Sequence, residues 1–469
     1  MDLESSFPEI AWPAFPGGQA AMLMALLKQY DETQWWTPEQ VSDAQFAQLS
    51  LLAEHAMKTV PFQAKRLKAA GFISGKPMTS GIWRRLPVLT RDEVRDQGEL
   101  LHASSYPPSF GGTMAADTGG STGIPVRVTK TQIDGFLWQA AHLRELDWHG
   151  IDGGLELANS MGMSEERRAA YLQQPGTFED AGGVVTASWG APVALLGKTG
   201  LMGIFEPRQP LERQAAFLIK RRPAYMRIVP SALRMLLIHF RDKGQTLDSL
   251  QCVWTMSESV DESLRQLCRE IFGCPVVSNY TCSETGYIAI QCPEGRNYHV
   301  VAESILLEVV DQDGNACNPG EIGRVVVTPL HNYAMPLLRY EVGDEAEVGP
   351  PCGCGRGLPS LTRIVGRLED YVQLPSGERR RPDLEHYKIS RIRAVREFQL
   401  VQTRLDHIDL RLVISGELLP AEVVILEGVM RRSFEGYLSW SVVVVDSLPR
   451  TKAGKLRQFR SEVMMTDIP

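Results

Sequence analysis

The tightest constraint on the fold is an alternation of two periodicities through the middle of the chain. Apolar residues recur at helical spacing over roughly Ile133–Leu146, Leu211–Arg221, Ser231–Lys243 and Asp261–Phe272. Short runs rich in β-branched and apolar residues fall among them, at Ala224–Ile228, Cys252–Thr255 and Pro275–Asn279. Strands separated by helices are joined by crossovers rather than hairpins, so they lie parallel under a helical cover. An α/β architecture is therefore predicted. Upstream, Thr37-Pro38-Glu39-Gln40 reads as a capping box with proline at the first helical position. Phe46, Leu49, Ala53 and Ala56 continue it as an amphipathic helix.

Beyond about Glu303 the texture changes. Ile305–Val310 and Gly323–Thr328 are β-rich runs around the turn signal Asp313-Gly314-Asn315. The last hundred residues read as a further small α+β unit. It holds a strand at Tyr371–Leu374, a turn at Pro375-Ser376-Gly377, a helix from about Asp383, and strands near Phe398–Gln402 and Ile408–Ile414. A helix near Ala421–Phe434 and a strand at Ser441–Val445 complete it. Gly366-Arg367-Leu368-Glu369 is the candidate hinge between the two regions.

Composition removes several classes of function. With 469 residues, 43% hydrophobic and 22% charged, the chain has the proportions of a globular protein of two to four domains. A net charge of −7 argues against a general binder of nucleic acid or anionic membrane. No run of about 18 apolar residues suggests a membrane span. The start, MDLESSFPEIAWPAF, lacks a basic and apolar leader, so a cytoplasmic protein is expected. The eight cysteines form no dense disulfide framework, and all lie within Cys252–Cys354.

One local motif stands out. Thr118-Gly119-Gly120-Ser121-Thr122-Gly123-Ile124-Pro125 combines glycines, which let a ligand approach the backbone, with hydroxyl donors suited to phosphate oxygens. A solvent loop has the same composition, and the motif is not a Walker A sequence. Gly197-Lys198-Thr199 fails that pattern too, because Pro192 stands where its first glycine belongs. Three further segments follow in order: Tyr280-Thr281-Cys282-Ser283-Glu284-Thr285-Gly286, Arg339-Tyr340-Glu341-Val342-Gly343-Asp344, and Pro449-Arg450-Thr451-Lys452-Ala453-Gly454-Lys455.

Together and in this order, the four segments resemble the acyl-adenylate-forming superfamily of acyl-CoA ligases and adenylation domains. The likeness is nearest the phenylacetate-CoA ligase branch and its capsular polysaccharide relatives, and it spans Thr118 to Lys455. It implies a large multi-lobed N-terminal α/β domain with a β-rich sub-region, residues 1–366. A small mobile C-terminal α+β lid, 367–469, would follow. It also implies ATP- and Mg²⁺-dependent formation of an acyl-AMP, then transfer to a thiol of coenzyme A or a carrier-protein phosphopantetheine arm. A non-thiol acceptor (amine, hydroxyl or nitrite) and a non-catalytic nucleotide-binding scaffold are the competing readings. By the same resemblance, Thr118, Gly120, Ser121, Thr122 and Gly123 hold the β- and γ-phosphates, with Thr122 at the reaction centre. Glu284 holds Mg²⁺. Tyr280 lies along adenine, followed by Ser283. Ser257 and Glu258 line the base pocket, Asp344 takes the ribose hydroxyls and Arg367 lies near the nucleotide. Lys455 bridges the reacting carboxylate and the α-phosphate. The chain departs from the family pattern at Gly119, often Ser, at Val126, often Lys, and at Glu369, often Asp. Val372–Pro382 is also unusually basic.

Cys292-x6-His299 precedes Cys352-x-Cys354. Spacing alone leaves two readings open: reduced interior thiols, or a tetrahedral zinc shell of three thiolates and an imidazole. The resemblance implies the second, as a structural site. Cys282 is expected to pack inside the nucleotide motif. Trp138, Trp148, His149, Trp189, Phe205, Tyr225 and Pro230-Ser231 are the candidates for the acid pocket, which would suit an aryl or other small apolar acid. Monomer and homodimer are both compatible with the sequence.

Overall fold

A computed structural model describes residues 5–10, 12–117, 126–367, 372–380, 388–389, 392, 394–450, 456 and 459–463. Its core is a 13-stranded sheet. Five parallel strands form one half, in the order Met202–Phe205, Leu157–Ser160, Tyr225–Ile228, Cys252–Thr255, Val276–Cys282. Two short antiparallel strands, Gly183–Thr186 and Phe178–Asp180, extend the outer edge. The other half is antiparallel. It runs Gly286–Gln291, Tyr298–Val300, Ser360–Arg367, Tyr340–Val348, Ile322–Pro329, Ile305–Val310.

The parallel half is covered on both faces, as its uninterrupted apolar strands require. Helix Gln132–Trp148 and helix Gly18–Thr33 share one apolar cluster with Leu157, Tyr225, Cys252, Trp254 and Val277. Helices Leu211–Arg221, Pro230–Lys243 and Glu262–Phe272 pack the other face through Phe217, Leu233, Leu237, Phe240 and Cys268. The four helices predicted among the parallel strands are present within a residue or two of their expected limits. The Thr37–Gln40 capping box also forms, with Gln40 N–H donating to the Thr37 hydroxyl and Gln40 Oε1 accepting from Thr37 N–H.

A separate four-stranded sheet follows, in the order Ser439–Val444, His407–Ile414, Val395–Arg404, Phe459–Ser461. With helix Pro420–Phe434 it encloses its own core around Leu400, Leu410, Leu412, Leu426, Val429 and Phe434. The predicted Tyr371–Leu374 strand is observed as Val372–Gln373, paired with Arg379–Arg380 across the expected turn. Residues 381–387, where the Asp383 helix is expected, lie outside the described residues. The small sheet touches the large one's cover at helix Pro230–Lys243. Arg396 pairs with Asp242, and Arg450 Nη2 lies 3.4 Å from Met235 Sδ. Among the described residues no helix is long and apolar enough to cross a membrane.

Candidate active site

The Tyr280–Gly286 segment turns from the last parallel strand into the antiparallel half, so it sits where the two kinds of sheet meet. Tyr280 is buried, and its hydroxyl donates to Asp344 Oδ2 at 2.7 Å. Asp344 lies on strand Tyr340–Val348, directly opposite Arg367 of the next strand. Two predicted nucleotide residues are therefore in contact, and a third lies across the ladder from one of them. The Arg367 side chain is outside the described residues.

Glu284 is buried at the turn. Its Oε1 accepts from the Tyr340 hydroxyl at 3.0 Å and pairs with Arg91 Nη1 at 3.3 Å. Both donors converge on one oxygen, and Oε2 accepts no hydrogen bond from a described residue. A buried carboxylate survives only with such partners. Burial, and then the Glu284 charge, raise the Tyr340 hydroxyl pKa, so it stays a donor. Lys130 faces the same turn. Burial lowers its pKa, while the charges of Asp134 and Glu284 oppose that shift. The sequence gives Arg91, Lys130 and Tyr340 no role, since nothing local marks their convergence on Glu284. Ser283 is exposed beside it. Arg339, close to Asp344 in sequence, turns away and pairs with Glu308 at 3.0 Å.

The strands flanking residues 118–125, Thr113–Asp117 and Arg127–Thr131, pair antiparallel with Asp117 opposite Arg127. Thr118, Gly120, Ser121, Thr122 and Gly123 lie outside the described residues, as does Lys455.

Ser257 and Glu258 follow strand Cys252–Thr255. Ser257 has φ +72°, a left-handed conformation that costs a non-glycine residue roughly 1–3 kcal/mol. Glu258 accepts from Ser231 N–H at 2.8 Å and from the Ser231 hydroxyl at 3.1 Å, so it caps helix Pro230–Lys243. This strained turn stands at the carboxyl ends of the parallel strands, where open α/β sheets take their ligands.

Cys292, His299, Cys352 and Cys354 come together, with ligand atoms all within 4.8 Å of one another. Cys292 Sγ and Cys352 Sγ are 3.8 Å apart, and Cys354 Sγ is 3.3 Å from His299 Nε2. Burial lowers the His299 pKa to about 4, leaving a neutral imidazole able to ligate. A tetrahedral ion with Zn–S bonds of about 2.3 Å would space its sulfurs by about 3.8 Å, so this donor set fits zinc.

Most of the acid-pocket candidates are corrected by the structure. Trp148 packs edge-on against His299, 5.7 Å between centroids, beside the cysteine cluster. Phe205 faces the opposite side of the sheet and packs on Phe217. Trp189 and Tyr225 pack together in the core. Burial pushes His149 down to about 4, with the Gln291 backbone beside it. Alternating residues on a strand face opposite sides, so an aromatic residue in a strand run does not by itself say which layer it fills. Trp138 differs: it remains 36% exposed and lines a small cavity with Thr285 and Tyr287.

Comparison with known proteins agrees with this geometry. Residues 118–331 match the family described as AMP-binding enzyme. The chain is 25% identical to the phenylacetate-coenzyme A ligase of Thermus thermophilus over 461 residues, covering 90% of this chain and 96% of that one. It is 27% identical to the protein CapK of Staphylococcus aureus over 213 residues, 44% of this chain and 45% of that one. Its fold matches a 2-hydroxyisobutyryl-CoA ligase in the postadenylation state with TM-score 0.70 and 19% identity, over 91% of each chain. In architecture, motif order and relatives the chain is thus similar to the acyl-adenylate-forming superfamily, with residues 118–331 matching its AMP-binding enzyme family.

Proposed function

We propose that the protein is an AMP-forming acid–thiol ligase acting on an aryl or other small apolar carboxylic acid. A carboxylate oxygen attacks the α-phosphorus of ATP and pyrophosphate leaves. The sulfur of coenzyme A, or of a carrier-protein phosphopantetheine, then attacks the acyl carbon and AMP leaves. The observation that carries this reading is the buried network Tyr280–Asp344 and Arg91–Glu284–Tyr340, built on two motifs far apart in the chain.

The task of the protein is positioning and charge neutralisation. Tyr280 and Asp344 fix the nucleoside end, with Arg367 nearby. Ser257 and Glu258 shape the base pocket at the strained turn. Thr118, Gly120, Ser121, Thr122 and Gly123 hold the terminal phosphates, and Lys455 brings the cation for adenylation. Arg91 and Tyr340 hold one oxygen of Glu284, which orients the other toward a hard cation; Mg²⁺ is the fitting ion. When bound, Mg²⁺ offsets charge on the phosphate oxygens. The zinc cluster is structural: it joins the hairpin after Glu284 to the connection between the strands carrying Asp344 and Arg367. The boundary between the mobile lid and the large domain lies at Gly366–Glu369.

The direct test is pyrophosphate release with ATP, Mg²⁺ and a panel of carboxylic acids. Release that depends on the acid supports the reading; ATP binding with no release for any acid would overturn it. Glu284→Gln keeps the shape and removes the charge. It should lower acid-dependent pyrophosphate release by about 10- to 100-fold and raise the Mg²⁺ concentration needed for half-maximal rate. An unchanged Mg²⁺ requirement would remove Glu284 from the metal site.

A further inference from the structure

Helix Gln132–Trp148 lies over one face of the parallel strands, and the last inward residues of those strands are polar. Asn159, Arg227 and Trp254 stand in register across that face. Val277 is opposite Trp254, and Asn279, two residues on, points to the same side near the strand end. From the helix, Glu145 enters this row fully buried. It accepts from Asn279 Nδ2 at 2.8 Å and from the Tyr287 hydroxyl at 2.6 Å. The His142 ring lies between two indoles, Trp138 at 5.3 Å and Trp254 at 4.9 Å, tilted by 12° and 17°. The stack opens at Trp138 into the cavity that also touches Thr285, the neighbour of Glu284.

This row is not internally satisfied. Asn279 directs its amide donor to Glu145 and Tyr287, and its buried Oδ1 has no donor among the described residues. Arg227 lies over the Trp254 ring, 5.4 Å from its centroid, but among the described residues its buried Nε has no acceptor and its Nη2 donates to Met256 Sδ at 3.2 Å. No described carboxylate forms an ion pair with Arg227. Among the described residues the Asn159 amide reaches only Met202 Sδ, at 3.9 Å. Native interiors rarely leave such groups unmatched, and here they lie on neighbouring strands, with Asn279 next to Tyr280 of the nucleotide motif.

We propose that this row recognises the acyl part of the substrate, and that the acid is an aromatic carboxylic acid bearing a ring hydroxyl. The hydroxyl donates to Asn279 Oδ1 and accepts from Arg227 Nε, so it satisfies both groups at once. An apolar substituent serves neither, and an amino group serves mainly the first. A flat ring makes edge or face contact with an aromatic side chain such as Trp254, which an alkyl acid cannot do. The inference rests on the ligase reading and narrows its substrate class.

The test compares benzoic and phenylacetic acids with their 2-, 3- and 4-hydroxy forms in acid-dependent pyrophosphate release. At least one hydroxy acid should exceed its parent by about 100-fold or more in kcat/KM, the size of discrimination a buried hydrogen-bonding site gives. Arg227→Met and Asn279→Leu should each bring that ratio to within a few-fold, by loss on the hydroxy acid alone, with KM for ATP unchanged. Arg227→Lys keeps the charge and controls for misfolding; it should retain ATP affinity and lose most of the preference. Parent acids used as well as hydroxy acids, or equal loss on both in the variants, would overturn the inference and leave the ligase reading standing. So would a loss of ATP affinity in Arg227→Met, which would make Arg227 a nucleotide contact. No release with any acid while ATP still binds would overturn both.

Discussion

Lys455→Ala is expected to slow acyl-adenylate formation by about 100- to 1,000-fold, the cost of removing one aimed charge from a developing anionic centre. Thiol attack on a supplied acyl-adenylate should stay within a few-fold of the unaltered rate. The asymmetry follows from charge. In the first step a carboxylate approaches a polyphosphate, and both partners are anions. A compact ammonium on a flexible stem can sit between them. In the second step the adenylate has already formed, and the cation must leave to admit the thiol. Arg450 and Leu456 form a bridge on either side of residues 451–455. Arg450 is tied to Glu397 of the small sheet and touches Met235 on the helix that Glu258 caps. Among the described residues the small sheet has its own core and touches the large unit at Arg396–Asp242, a polar contact that a rotation would have to break. Rapid-quench measurement of the two half-reactions checks the expectation. Equal loss in both would mean that Lys455 supports the fold or both steps alike.

Local signals made the scaffold legible. Helix Leu211–Arg221 ends where the sequence places it, because Arg222 takes a left-handed cap and the apolar stripe Ala215, Leu218 stops there. Strand Cys252–Thr255 matches to the residue, since a four-residue apolar run between turn signals fits only a buried strand at that length. The Tyr280–Asp344 contact was also foreseeable, though from motif order rather than local pattern. Arg91 was not. It opens a short capped helix and meets Glu284 across 193 residues, a pairing that no periodicity encodes. The polar row under helix Gln132–Trp148 was hidden for a related reason. Asn159, Arg227 and Asn279 each look incidental in their own strands, and only the parallel register sets them side by side. Aromatic residues misled in the opposite direction: Trp148 packs beside the cysteine–histidine cluster and Phe205 fills the far core.

The cysteine cluster should hold about one zinc per chain, and Cys352→Ser should release it. Loss of the ion should then lower the unfolding midpoint by on the order of 10 °C, as a change of about 4 kcal/mol does in a domain of moderate size. The position of the cluster is the reason for an effect this large. Cys292 directly follows strand Gly286–Gln291, and His299 lies on the strand paired with it. Cys352 and Cys354 sit in the connection between strands Tyr340–Val348 and Ser360–Arg367, with Gly355 at φ +83° turning the chain back. One ion here would thus fasten the hairpin that follows Glu284 to the pair of strands that carries Asp344 and Arg367. Without it, three buried or half-buried thiols and a neutral imidazole crowd together with only weak sulfur hydrogen bonds to hold them. ATP affinity should therefore fall together with zinc content, although no cluster residue belongs to the nucleotide network. Metal analysis, thermal unfolding and ATP binding on the same preparations decide the point. A zinc-free protein with unchanged melting and full ATP affinity would show that the four residues meet for packing alone.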